Sequence, residues 1–255
     1  MSEIKNERHA PIENVRAMIF SAGLGTRFKP WTDSHPKALA VVNGKSLLQR
    51  NVEFLQSFGI RDVVVNVHHF GEQVLDAIET NKGWGSQIFI SHEEDELLET
   101  GGGLLKAKDL LKGKTFVTIN VDILTTLDLS AMVAFHRQQN NLATLAVADR
   151  KTTRFLLFND DNRLCGWRNT NPPAEKIVVQ EEHYVQKAYS GIAVFQPEIL
   201  DIIPFTGKFS IIDVFLALAG SQRIAGFDHT GDKFLDVGKP DSVAQAEQMF
   251  DERGL

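Results

Sequence analysis

A chain of 255 residues, 43% apolar and 24% charged, is long enough to bury the core of one large α/β domain and is ordinary for a globular protein. Its formal net charge of −6 argues against general nucleic-acid binding, and no stretch approaches the roughly 18 apolar residues of a membrane span, so no membrane contact is expected. One cysteine, Cys165, leaves no internal disulfide framework, and with no signal-type apolar core near the N-terminus the expected location is the cytoplasm.

Residues 1–14 are polar and mixed in charge and read as a flexible extension ahead of a single domain over 15–255. The apolar run Val15 to Phe20 predicts a buried first strand. It feeds directly into Ser21-Ala22-Gly23-Leu24-Gly25-Thr26-Arg27-Phe28-Lys29-Pro30, which runs on to Pro36-Lys37. Two glycines let the backbone turn tightly and approach a ligand, and bare amides in such a turn form a concave site for phosphate oxygens. Between residues 21 and 50, Arg27, Lys29, Lys37, Lys45 and Arg50 face a single acid, Asp33. That local reversal of an acidic chain suits an anionic ligand. The loop is not a dinucleotide fingerprint, because Phe28 stands at the third glycine position. Nor is Asn43-Gly44-Lys45-Ser46 the end of a P-loop, whose first glycine would fall at Leu39. Pro30 and Pro36 disfavour a helix directly after the turn.

Ser46 is placed to cap a helix over 47–58, with Leu47, Leu48, Val52, Leu55 and Phe58 at helical spacing and Gly59 to close it. Asp62 to Val67 is a β-branched strand. The neighbouring His68 and His69 have no further ligand at useful spacing, which argues against a metal there. A helix to about Asn81 and a strand over 87–91 follow, then an acidic loop, Glu93 to Glu96. The three glycines of Glu99-Thr100-Gly101-Gly102-Gly103 would each cost a helix interior about 1 kcal/mol and suit a place where a flat ligand lies against backbone, the alternative being a flexible loop opening a helix over 104–111.

Thr115 to Val121 is a near-continuous apolar strand ending in Asn120-Val121-Asp122. In open α/β sheets ligands sit beyond the carboxyl ends of the strands, and an acid there can hold Mg²⁺, which favours carboxylate, water and phosphate oxygens. A helix capped by Asp128 and a strand over 142–148 complete a pattern that predicts a mainly parallel sheet with helices on both faces. Beyond it the chain is richer in strands. These comprise a hairpin over 155–167, a proline-containing loop over 169–175, strands over 177–180 and 185–195, a helix capped by Ser210, and a strand over 222–227. Arg154, just before the hairpin, is a candidate to hold an anionic group such as a phosphate or carboxylate.

The ordered set G-x-G-T-R-x-x-P-x-T followed by Pro36-Lys37 resembles the signature of the sugar-1-phosphate nucleotidylyltransferases, and later segments agree with it from Val15 to about Phe250. The resemblance implies a Rossmann-like mixed, mostly parallel sheet of the GT-A-like type with a small β-rich sugar-side portion. Residues 15–150 would form the nucleotide-binding part and 151–255 the sugar-binding part. It implies an enzyme whose substrates are a nucleoside triphosphate and a sugar 1-phosphate, with Mg²⁺ as cofactor. Ala22, Gly23, Gly25, Thr26 and Arg27 would hold the triphosphate, Lys37 the transferred phosphate, Thr100 and Gly101 the base, and Asn120 a sugar or ribose hydroxyl. Ser190 and Gly191, within a segment that looks like the family's sugar-side strand, would admit the sugar together with Glu99. Asp236, in Leu235-Asp236-Val237-Gly238, would join Asp122 on the metal. Val121 stands where the family usually has glycine, and Lys239 where it has threonine.

Among the family, the compact length and the Glu99–Gly103 and Leu235–Gly238 segments look most like N-acetylmuramate-1-phosphate uridylyltransferases, with mannose- or heptose-1-phosphate guanylyltransferases as the alternative. A non-catalytic nucleotide-sugar sensor is the alternative of another class. Against it, Arg27, Lys37, Asp122 and Asp236 are all present.

Overall fold

The computed structural model describes residues 11–93 and 96–250. Four parallel strands make its centre. Val15–Phe20 lies between Asp62–Val67 and Thr115–Asn120, and Gln87–His92 flanks Asp62–Val67. Each sends apolar side chains to both faces, Val63, Val117 and Ile88 toward one core and Val64, Phe116 and Phe89 toward the other, as strands with helices on both sides do. The pleat divides the first strand, sending Ala17 and Ile19 into one core and Met18 and Phe20 into the other.

The first core is closed by helices 47–57, 129–138 and 241–249, the second by helices 99–106 and 211–219. The caps anticipated at Ser46, Asp128 and Ser210 all form, each side chain accepting a backbone N–H of the first turn. Beyond Thr115–Asn120 the sheet changes sense. The 11-residue strand Val185–Phe195 pairs antiparallel with it, with Ala143–Ala148 and with Arg154–Phe158, linking the parallel half to the β-rich half. The mixed, centrally parallel sheet with helices on both faces is the expected fold. No helix among the described residues is long and apolar enough to cross a membrane.

Several local expectations need correction. The polar extension is not loose throughout: Ile12 is buried in the first core and its N–H donates to the Phe58 carbonyl at 2.8 Å, while residues 1–10 lie outside the described residues. Glu94 and Asp95 of the acidic run also lie outside them. The three glycines belong to helix Glu99–Lys106 rather than to a loop before it. Close packing explains their presence: a Cβ on Gly101 would stand 2.4 Å from the Phe209 ring, one on Gly102 2.3 Å from the Gly207 carbonyl oxygen, and one on Gly103 2.7 Å from the Glu93 carboxylate. The loop expected over 169–175 is instead a tight hairpin turn joining strands Leu164–Thr170 and Pro173–Ile177. Pro173 takes the first place of an edge strand, where proline is tolerated.

Two short strands that the sequence reading did not separate, Ile123–Thr125 and Phe234–Asp236, form an antiparallel ribbon over the carboxyl ends of the central strands.

Candidate active site

The cleft lies where the parallel strands end, with a cavity of about 390 Å³. Phe20 to Gly23 and Gly25 to Arg27 line one wall, Asn66, Glu93, Leu97, Glu99 and Thr100 another, and Lys37, Asn120, Val121, Asp122 and Gly238 the floor. Gly25 makes the turn at φ +60, and a Cβ there would press on Thr32 Cγ2 at 2.9 Å and Lys37 Cβ at 3.1 Å. Its carbonyl accepts from Phe28 N at 2.7 Å and Thr32 Oγ1 at 2.9 Å, while buried Phe28 anchors the turn in the core. Gly23 has nothing within 4 Å of where a Cβ would be, so its backbone is open to the cleft.

Of the five basic residues between 21 and 50, two line the cleft, Arg27 and Lys37. Lys29 is turned outward in an ion pair with Asp33 at 2.9 Å, Lys45 pairs with Glu53 at 2.7 Å, and buried Arg50 donates to the Val42 carbonyl at 2.8 Å. Local charge therefore overcounted the cations in the site, because linear sequence does not say which way each side chain leaves the loop.

The ribbon sets the acids side by side. Asp236 is opposite Ile123 in its register, and Val237 N donates to the Asp122 carbonyl at 2.8 Å. Lys37 Nζ donates to Asp122 Oδ2, with both side chains less than one-fifth exposed. A Cβ on Gly238 would meet Asp236 Oδ1 at 2.7 Å and Arg27 Nη2 at 3.0 Å, so guanidinium and carboxylate flank that glycine closely. Burial raises the Asp236 pKa above its ordinary 3.8 although the side chain still reaches solvent. The Asp122 charge adds to the rise, and Lys37, Arg27 and Arg150 oppose it. Arg27, Lys37, Asp122 and Asp236 thus share one site, and Asn120 is beside them. Gly191, at φ +73, leaves room for the Asn120 amide, which a Cβ would crowd at 2.8 Å.

Other anticipated residues fall elsewhere. Gly101 packs on Phe209 and does not line the cleft, while Thr100 lines it and its hydroxyl accepts from Ile211 N at 3.0 Å. Glu99 lines the same wall as Thr100 and Glu93. Ser190 is buried, its hydroxyl 2.7 Å from His229 Nε2. Arg154 is exposed at the first residue of its strand, opposite Asn169.

Sequence reasoning missed Asn66 and Glu93, which tie the two walls together. Ser21 N donates to Asn66 Oδ1 at 2.7 Å, Asn66 Nδ2 to Glu93 Oε1 at 2.7 Å, and Leu98 N to Glu93 Oε2 at 2.9 Å. The signal was in the chain: an acid, Glu93, directly after the strand Gln87–His92, and a glycine, Gly103, that makes room for it.

A family model described as nucleotidyl transferase matches residues 16–253. The chain is 32% identical to an N-acetylmuramate alpha-1-phosphate uridylyltransferase of Caulobacter vibrioides, over 92% of this chain and 97% of that one. It is 29% identical to a mannose-1-phosphate guanylyltransferase catalytic subunit beta of Drosophila pseudoobscura pseudoobscura, over 89% of this chain and 60% of that one. Among solved structures, HddC from Yersinia pseudotuberculosis complexed with GMP-PN superposes with a TM-score of 0.73 at 21% identity, covering 91% of this chain and 98% of that one, a likeness of fold. The chain therefore belongs to the nucleotidyl transferase family and acts as a sugar-1-phosphate nucleotidyltransferase.

Proposed function

We propose that this enzyme transfers a uridylyl group from UTP to an acidic amino-sugar 1-phosphate of the N-acetylmuramate type, with Mg²⁺ and in the cytoplasm. The observation that carries the chemistry is the meeting of Lys37, Asp122, Asp236 and Arg27 around the ribbon and Gly238. The choice of base and acceptor is supported by 32% identity to an N-acetylmuramate uridylyltransferase along nearly the full length of both chains. Guanylyl transfer to a mannose- or heptose-type phosphate is the second reading, favoured by the guanylyltransferase likeness over 89% of this chain.

The residues present fit a magnesium ion. Two carboxylates converge, and no cluster of three or more His, Cys, Asp or Glu among the described residues could build an all-protein cage. Mg²⁺ is typically held by one or two carboxylates together with phosphate oxygens and water. When bound by Asp122 and Asp236, it would supply charge screening between the attacking and leaving oxygens.

The rest of the work belongs to the chain. An oxygen of the sugar phosphate, already anionic, forms the new bond to the α-phosphorus while the bond from that phosphorus to the bridging oxygen breaks and pyrophosphate leaves. No general base is needed, so catalysis reduces to alignment and neutralisation. The open backbone at Gly23 and the turn at Gly25 receive the triphosphate, Arg27 offsets charge on the departing pyrophosphate, and Lys37 exchanges its Asp122 contact for the α-phosphate. Asn120, held against Gly191, orients a hydroxyl on the ribose or the sugar.

The test is pyrophosphate release measured across UTP, GTP, CTP, ATP and dTTP against N-acetylmuramate, N-acetylglucosamine, mannose and heptose 1-phosphates. Highest kcat/KM for UTP with N-acetylmuramate 1-phosphate is expected. A preference for GTP with mannose or heptose 1-phosphate would replace the reading with the second one, and no release with any pair would reject both.

A further inference from the structure

Arg150 follows the Ala143–Ala148 strand and has no part in the scheme above. Its guanidinium lies over the Phe234 ring, 5.0 Å from the centroid, and Nη2 donates to the Tyr189 carbonyl at 2.7 Å. Phe234 and Asp236 are two residues apart on one strand, so their side chains leave the same face. Asp236 is therefore flanked along its own strand by two arginines: Arg27 at the Gly238 end and Arg150 at the Phe234 end. The Asp236 charge is felt at Arg150 in turn. Arg27 belongs to the wall that receives the triphosphate. Arg150 touches the opposite side, the Tyr189 carbonyl one residue before Ser190 and Gly191.

The side chain is exposed and forms no ion pair among the described residues. Asp149, its neighbour in sequence, is held instead by Lys187 at 2.9 Å. A guanidinium has five N–H donors in a planar fork suited to a carboxylate or phosphate, and stacking on an aromatic face fixes that plane. We propose that Arg150 binds an anionic oxygen group of the acceptor sugar phosphate on the Tyr189 side of Asp236. The assignment rests on the nucleotidyl-transfer reading and deepens it. Two groups on the acceptor share the required chemistry, its 1-phosphate and a carboxylate carried by the sugar.

The experiment is steady-state kinetics of wild type, Arg150→Met and Arg150→Lys. N-acetylmuramate 1-phosphate and its carboxylate-free counterpart N-acetylglucosamine 1-phosphate serve as acceptors, with the nucleotide KM measured in parallel. Methionine keeps apolar contact with Phe234 and drops the charge. It should raise the acceptor KM by about 10- to 100-fold, the loss of a charge-assisted hydrogen bond, with the nucleotide KM changed less than about twofold. Lysine should restore part of the loss. A rise for both acceptors identifies the phosphate as the bound group, and a rise for the carboxylated acceptor alone identifies the carboxylate. An unchanged acceptor KM, or a nucleotide KM rising in step, overturns the assignment while leaving nucleotidyl transfer intact. Absence of wild-type turnover with every sugar phosphate would instead sink the reading beneath it, and this inference with it.

Discussion

Replacing Lys37 by methionine keeps the aliphatic stem that packs against Gly25 and removes the ammonium that rests on Asp122. The side chains of the pair are 11% and 19% exposed, so solvent screens the contact poorly. By comparison with donors aimed at a developing oxyanion, losing this cation should raise the barrier by about 3–4 kcal/mol, or about 10²- to 10³-fold in kcat. Folding should suffer less, by about 1–3 kcal/mol, the cost of leaving one poorly solvated polar group without its partner. Pyrophosphate release at saturating substrates reports the first number and urea unfolding the second. Asp122→Asn and the double variant complete a cycle: because the two groups serve one site, the double loss in kcat should fall well short of the sum. A Lys37→Met enzyme within fivefold of wild-type kcat would refute the catalytic role, and strictly additive losses would refute the pairing.

Asp236→Asn should abolish Mg²⁺-stimulated turnover with little change in unfolding midpoint, since the carboxylate reaches solvent and its charge is opposed by Asp122. Chelation by EDTA should stop the wild-type reaction and added Mg²⁺ restore it; full activity in EDTA would contradict the metal assignment. Gly102→Ala should destabilise the protein by about 1–3 kcal/mol despite alanine's better helix propensity, because the new methyl would meet the Gly207 carbonyl oxygen at 2.3 Å. A neutral or stabilising effect in urea melts would mean that the helix can shift away. Burial holds the His136 pKa down at about 4, against an ordinary 6.5, so the unfolded chain takes up a proton that the folded one refuses as pH falls. Stability is therefore complete above about pH 6.5 and declines toward pH 4, by about 3 kcal/mol in all. Urea midpoints of wild type and His136→Gln measured from pH 7.5 to 4.5 should show this slope flattened in the variant, and parallel slopes would disprove it.

What was readable in the sequence follows from where chemistry is encoded locally. The strand-loop signature at 15–37, the three helix caps and the strand-end Asp122 announce themselves within a dozen residues each. The glycines at 101–103 were open to a wrong reading because propensity speaks for the helix alone. The reason to tolerate them, Phe209 and the Gly207 carbonyl more than a hundred positions on, is tertiary. The pairing of Ser190 with His229 was illegible for the same reason: the histidine comes from a distant segment. No periodicity in the sequence distinguishes Arg150, stacked on Phe234, from Arg154 at the exposed start of a strand that lies between two others.

Under the proposed role of the two acids, the ribbon that pairs Ile123–Thr125 with Phe234–Asp236 also sets when the enzyme can first work. Asp122 is synthesised more than a hundred residues ahead of Asp236, and closing so long a loop is a slow, entropically costly step. A ribosome-bound fragment that stops short of Asp236 would hold half of the proposed cation seat. Turnover would then report completion of the whole architecture, and an unfinished copy would be silent rather than sluggish.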